Sequence, residues 1–264
     1  MNRYAAMFDH LTALGEGAFI PFTVLGDPDP DGSLNVIDWL VESGADGLEL
    51  GVPFSDPIAD GPVMQAASAR ALASGTTPRA CLELVHDARQ VYPEIPIGLL
   101  TYANPVLTHG ADAFYSDAAA AGVDSVLIAD VPVAEVAPFA DAADRHGIDP
   151  VLIAPVDADD RTLKAVATRT KGYTYVLGRA GVTGDADLAT LAHETLLGRL
   201  RELEAPPPVV GFGIGSPEQV QQALRAGAAG VIAGTAIVRR IDDRRDVIEF
   251  VTSMKDATRP AANR

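Results

Sequence analysis

Cysteine is almost missing from this sequence. Cys81 is the only one in 264 residues, which excludes an intrachain disulfide and a metal site built from cysteines. Lysine is nearly as scarce: Lys164, Lys171 and Lys255 stand against seventeen arginines. No apolar run approaches the roughly 18 residues that a membrane helix needs. No basic segment leading into an apolar one opens the chain, so no secretory leader is expected and a cytoplasmic protein is. Basic charge is short overall, with Lys+Arg 20 against Asp+Glu 36 and a net charge of −16. That field repels nucleic acid and anionic membranes, and neither is an expected partner. Aspartates number 25 and glutamates 11. An aspartate-rich, lysine-poor surface suits a protein whose self-repulsion is screened by high salt. A halophilic source is the expectation, and an ordinary acidic cytosolic enzyme is the competing one.

What remains is the composition of a globular enzyme: 48% hydrophobic and 21% charged residues. Short, mostly uncharged strand segments recur at 18–25, 47–50, 97–100, 125–129, 150–154, 173–177, 209–212 and 230–233. Strands covered on both faces have this character. Helical patterns lie between them, as in 34–41, 77–91, 111–121, 134–146, 161–169, 188–203 and 217–226. The segments ESGADGLEL, AAGVDSVLI, RHGIDPVLI and RAGAAGVIA repeat one grammar. In each, a helix ends on a glycine (Gly44, Gly122, Gly147, Gly227) and a strand follows. Glycine closes a helix in the left-handed conformation without a Cβ clash. Eight strand–helix units in a chain of this length predict a closed (β/α)8 barrel over residues 1–264 as a single domain. The rival, an open doubly wound sheet, lacks its G-x-G-x-x-G after the first strand. Tyr4, Met7, Phe8, Leu11 and Leu14 predict an extra amphipathic helix before that strand.

Barrel chemistry gathers where strands end. Glu49 interrupts an apolar strand, on the face opposite Leu48 and Leu50. A carboxylate there is costly unless paired or protonated, and no Lys, Arg or His lies between it and Arg70. A proline-stiffened loop follows, carrying Asp56 and Asp60. Two carboxylates in different surroundings can divide into an acid and a base. The structural alternative stays open: Glu49 meets a distant arginine, and Asp60 caps the helix starting at Pro62. Near the end, VGFGIGSPE and IAGTA each run from a strand through glycine into a helix start, a pattern suited to phosphate. GRAGVTGD, residues 178–185, is long and glycine-rich enough to act as a lid. A Schiff-base aldolase would need a lysine at a strand end, and none of the three qualifies. The five histidines show no metal-ligand spacing, and only His109 is expected in a loop after a strand. Acids at strand ends (Asp27, Glu49, Asp130, Asp157) could hold Mg²⁺ in principle. No metal is expected, because loop aspartates at helix starts are usually caps.

LELGVPFSDPIADGPVMQ resembles the signature of the tryptophan synthase α subunit family. YVLGRAGVTG, GFGIGSPEQV, IPFTVLGDP, IGLLTYANP and DSVLIADVPV are similar to further segments of it. The resemblance implies a (β/α)8 TIM barrel. It implies a lyase of tryptophan biosynthesis that cleaves indole-3-glycerol phosphate to indole and glyceraldehyde 3-phosphate. It makes Glu49 the general acid/base and Asp60 the partner of the indole N–H, with Tyr175 in support. Phe22, Leu100, Tyr102, Ala129, Ile153 and Phe212 would wall the indole. Thr183, Gly184, Gly213, Gly234 and Thr235 would hold the phosphate. Pro53, Asp56, Asn104 and Pro132 would face the β subunit in an αββα complex. Pyridoxal phosphate would belong to that partner, and this chain would need no cofactor. Thr235 stands where the family often has serine, Gly178 where serine is expected, and Pro105 where an apolar residue is. A different phosphate-binding barrel enzyme, or an idle barrel that only activates the partner, are the competing readings.

Overall fold

The computed structural model describes residues 2–177, 186–211 and 213–260, with the backbone alone over 186–193. Its strands are β1 Ala18–Val24, β2 Leu48–Gly51, β3 Ile97–Thr101, β4 Ser125–Ile128, β5 Asp149–Val151, β6 Ile153–Ala154, β7 Thr174–Val176, β8 Pro208–Val210 and β9 Gly230–Ala233. Every pairing is parallel. The sheet order is β5-β4-β3-β2-β1-β9-β8-β7-β6. Its two ends, β5 and β6, are consecutive in the chain and separated only by Leu152, so the sheet closes on itself as a barrel.

One expected strand, 150–154, thus becomes two. Its first half bonds to β4 and its second half to β7. Strands in a closed barrel are staggered, and a segment that passes from one neighbour's register to the other's is interrupted between them. The expected helix 134–146 also divides, into a 3-10 turn Val133–Glu135 and a helix Ala137–Arg145. Pro138 explains the break, since it has no N–H to give and is tolerated only in a first turn. His109 is not in a loop. It ends a helix Ala103–His109, where its Nε2 lies 2.8 Å from an Asp117 oxygen.

Alternation along the strands builds two layers. Ala18, Ile20, Phe22 and Val24 point into the barrel and pack with Leu127, Val151, Tyr173, Tyr175, Val209 and Ile232. Phe19 and Leu25 join the layer between strands and helices. The helix Arg3–Leu14 buries Tyr4, Met7, Phe8 and Leu11 in the inner layer, while Leu14 is exposed. Tyr4 Oη lies 2.9 Å from Ser125 Oγ at the start of β4, so this helix covers the amino-terminal end of the barrel. Gly44, Gly122, Gly147 and Gly227 all take positive φ where their helices end, as the repeat grammar requires. Asp29, Thr77, Asp159, Ser216 and Asp243 each cap a helix with a side-chain oxygen.

Candidate active site

Glu49 sits on β2 in register with Phe22 of β1 and Gly98 of β3. Parallel pairing puts its carboxyl inside the barrel, where it is 1% exposed. Its partner is a phenol rather than an arginine: Tyr173 Oη donates to Oε1 at 2.8 Å. Glu49 takes part in none of the ion pairs among the described residues, and its Oε2 is buried without a hydrogen-bond partner among them. Burial pushes the Glu49 pKa up to about 7, against the Tyr173 bond, which favours the ionised form. An acid with that affinity for protons can both give and take one near neutral pH.

Asp60 is half-buried in the loop after β2. It does not cap the following helix, Pro62–Ala73, whose N-cap is Gly61 without a side-chain bond. Tyr102 holds it instead. The Tyr102 hydroxyl donates to Asp60 Oδ2 at 2.9 Å and accepts from Ala59 N at 3.2 Å. Its ring stacks on Phe54, with centroids 5.2 Å apart. Gln65 Nε2 donates to the Asp60 carbonyl at 2.9 Å. Burial raises the Asp60 pKa and the Tyr102 bond opposes it. The two carboxyls therefore differ in kind: one is fully enclosed, the other sits half-open on a loop.

Tyr175, on β7, donates to the carbonyl of Gly211 at 2.6 Å. A Cβ at Gly211 would lie 2.1 Å from the Tyr175 ring, so only glycine lets the tyrosine lie there. Burial raises its pKa, and the charges of Glu49 and Asp60 both add to the rise. Tyr175 thus stands within electrostatic reach of both carboxyls. Tyr173, two residues earlier, makes the direct contact with Glu49. Sequence reasoning passed over it, although YTYVL points both tyrosines to one face of the strand.

Phe22, Leu100, Ala129 and Ile153 pack in the same inner layer as Tyr175. Tyr102 is buried beside Asp60. The Phe22 ring lies over the backbone of Gly51 and beside Gly234, where Cβ atoms would approach it to 2.6 and 3.2 Å. Phe212 lies outside the described residues.

Gly211, Gly213 and Gly215 follow β8, and Gly234 and Thr235 follow β9; these strands are neighbours, so the described residues of both turns lie on one rim. A Cβ on Gly215 would be 3.8 Å from the Ala236 Cβ. Gly213 has φ +79 and is exposed, as is Thr235 at the start of the short helix Thr235–Val238. Ser216 Oγ accepts from Gln219 N, while Gln219 Oε1 accepts from Gly215 N, a reciprocal cap. Backbone amides of this kind attract an anion. Gly234, touching Phe22, brings this rim beside the apolar wall. Thr183, Gly184 and the expected lid at 178–185 lie outside the described residues.

Asp56, Asn104 and Pro132 are exposed in the loops and helix starts that follow β2, β3 and β4, and Pro53 is buried. Ser55 Oγ donates to Asp56 Oδ2 at 2.6 Å. Ile58 and Leu107, 82% and 59% exposed, stand in the segments after β2 and β3 and carried no sequence signal. Of the acids weighed for a metal, Asp27 is paired with Arg70 and Asp130 accepts from Ala103 N. Cys81 is buried in the helix Pro78–Val91, and burial pushes its thiol up to about 12.

Residues 8–262 match the family model described as tryptophan synthase alpha chain. The chain is 56% identical over 259 residues to the tryptophan synthase alpha chain of Shewanella oneidensis, covering 98% of this chain and 93% of that protein. It is 54% identical over 269 residues to that of Cronobacter sakazakii, covering 99% and 100%. Among solved structures, the tryptophan synthase subunit alpha of Legionella pneumophila superposes with a TM-score of 0.89 at 30% identity, covering 98% of each chain. Tryptophan synthase of Mycobacterium tuberculosis superposes at 0.90 and 31%, covering 98% of this chain and 99% of that one.

Proposed function

The chain belongs to the tryptophan synthase alpha chain family and is a lyase of tryptophan biosynthesis that cleaves indole-3-glycerol phosphate; on that premise we propose that Glu49 and Asp60 perform the cleavage. The reaction breaks the bond between indole carbon 3 and the glycerol chain. The ring must first become an electron sink. Protonated Glu49 gives its proton to carbon 3, producing an indolenine with positive charge on nitrogen. Asp60, as a carboxylate, accepts a hydrogen bond from that N–H and offsets the charge. Glu49, now ionised, removes the proton of the adjacent glycerol hydroxyl. The oxygen electrons form the aldehyde carbonyl, and the pair from the broken bond returns to the ring. Indole and glyceraldehyde 3-phosphate leave, and Glu49 is protonated again.

The observation that carries this reading is a fully enclosed carboxyl whose pKa is lifted to about 7. It has a free oxygen and no counter-ion among the described residues. Tyr175, within electrostatic reach of both, supports the pair. Phe22, Leu100, Tyr102, Ala129 and Ile153 form the apolar wall, with Phe212 as its further member. Gly213, Gly234 and Thr235 bind the phosphate, joined by Thr183 and Gly184. We assign residues 1–264 to one barrel domain that needs no cofactor of its own. Pro53, Asp56, Asn104 and Pro132 meet the β subunit in an αββα complex in the cytoplasm. The pyridoxal phosphate belongs to the β subunit. The acidic, lysine-poor composition supports a halophilic enzyme.

Glu49→Gln and Asp60→Asn test the assignment. Each is expected to lower kcat for indole release by at least ~10²-fold while substrate still binds. Near-normal turnover in either variant would remove that residue from the mechanism. Indole release with and without the β subunit separates a working lyase from a barrel that only activates its partner.

A further inference from the structure

The loop after β1 is joined to the helix after Asp60 by an ion pair. Asp27 is fully buried, and both its oxygens are taken by Arg70: Nε donates to Oδ1 and Nη2 to Oδ2, each at 2.8 Å. Arg70 lies on the helix Pro62–Ala73, which begins two residues past Asp60. The same loop touches the end of that helix. Ser74 Oγ reaches the Gly26 carbonyl at 3.4 Å, and a Cβ on Gly26 would lie 2.0 Å from Thr76 Oγ1. Asp242, in the turn beyond the helix Thr235–Val238, is close enough to act electrostatically on both Asp27 and Arg70. At its other end the helix holds Asp60 through Gln65 and sets Met64 against Gly234.

We propose that the Asp27–Arg70 pair is a positioning device for Asp60, setting how far the helix Pro62–Ala73 advances over the barrel mouth. A helix is a stiff rod, so a tether near its end sets the depth of its beginning. A bidentate fork fixes distance and angle together, which a lysine's single ammonium does not. Arg70 is half-exposed although Asp27 is buried, and an ion pair open to solvent on one side is weak evidence for stability. What the fork supplies is one position along the axis. Misplacement of a reacting group by about 1 Å slows turnover ~10²-fold, so a small slip of this helix is visible in the rate.

The proposal rests on the role given to Asp60, and a double-mutant cycle separates the two. Arg70→Met is expected to lower kcat about 10-fold with KM changed less than about twofold, since the phosphate rim is carried by the turns after β8 and β9 and meets this helix at Met64. In the Asp60→Asn background the same substitution is expected to lower kcat less than about twofold, because no carboxylate remains to be positioned. Arg70→Lys is expected to fall between, and it serves in the same cycle if Arg70→Met does not fold. If Asp60→Asn is crippled but Arg70→Met lowers kcat equally in both backgrounds, the pair is merely structural and the proposal is overturned. If Asp60→Asn turns over normally, the role of Asp60 falls and this proposal falls with it.

Discussion

The bond from Tyr173 to Glu49 gives the sharpest test, because its effect has a sign and a size. Tyr173→Phe removes one hydroxyl and keeps the ring that packs against Tyr4 at 5.3 Å. The lost bond is a 2.8 Å donor to a carboxylate. Hydrogen bonds to charged groups contribute about 1.5–3 kcal/mol. One pKa unit corresponds to about 1.36 kcal/mol, so the Glu49 pKa should rise by roughly one to two units. The bond favours the ionised form, so its loss can only raise the value from about 7. Burial holds Tyr173's own pKa well above the ordinary phenol value, so it is a neutral donor across the working range. Glu49 must begin protonated, and kcat/KM therefore declines as pH rises through its pKa in the free enzyme. The alkaline limb of the kcat/KM profile for indole release is therefore expected near pH 7 in the natural protein. It should move upward by about one to two units in Tyr173→Phe. A limb that stays in place, or moves down, refutes either the bond or Glu49 as the titrating acid.

Further outcomes follow from the same geometry and from the composition. Gly211→Ala places a Cβ 2.1 Å from the Tyr175 ring; kcat for indole release should fall at least ~10-fold with the circular dichroism of the fold retained, and unchanged turnover would mean that Tyr175 has no part in catalysis. Lys255 is buried between Glu16, at 2.9 Å, and Asp46, at 3.0 Å; Lys255→Met leaves Glu16 with Arg259 alone and Asp46 with only the Phe19 N–H, and should cost about 3 kcal/mol, or a Tm lower by roughly 6–12 °C. Lys255 holds the Glu16 pKa below its ordinary value. That contribution is present above the ordinary carboxylate range and is lost as pH falls through the lowered value, so the variant should lose less stability on acidification. Finally, Tm and indole release should both rise along a potassium chloride series, whereas full stability in salt-free buffer would refute a halophilic origin.

Much of the site was legible before folding was considered. Glu49 stands out because a carboxylate inside an apolar strand needs an explanation, and Asp60 because it ends a proline-stiffened loop. The glycines after β8 and β9 announce themselves by spacing. Tyr173 was not legible as the partner of Glu49. The two residues are 124 positions apart, and YTYVL presents two equivalent tyrosines on one face. Gln65, Phe54 and the fork from Arg70 to Asp27 were hidden for the same reason. Each acts across a gap that only the closed barrel spans. The alternative reading of Asp60 as a helix cap was locally sound, and it fails only because Tyr102 claims the carboxylate from another strand's end.

Local chemistry therefore determined the order of strands and helices, the glycines that end the helices and the rims where chemistry gathers. These depend on neighbours within a few residues, where backbone sterics and alternation decide. Tertiary structure alone decided which tyrosine holds Glu49, where the closing strand breaks at Leu152, and what pairs with Asp27. It also set the proton affinity of Glu49, because that depends on how completely the other strands and the amino-terminal helix exclude water from one carboxyl, and no stretch of sequence contains its own solvent.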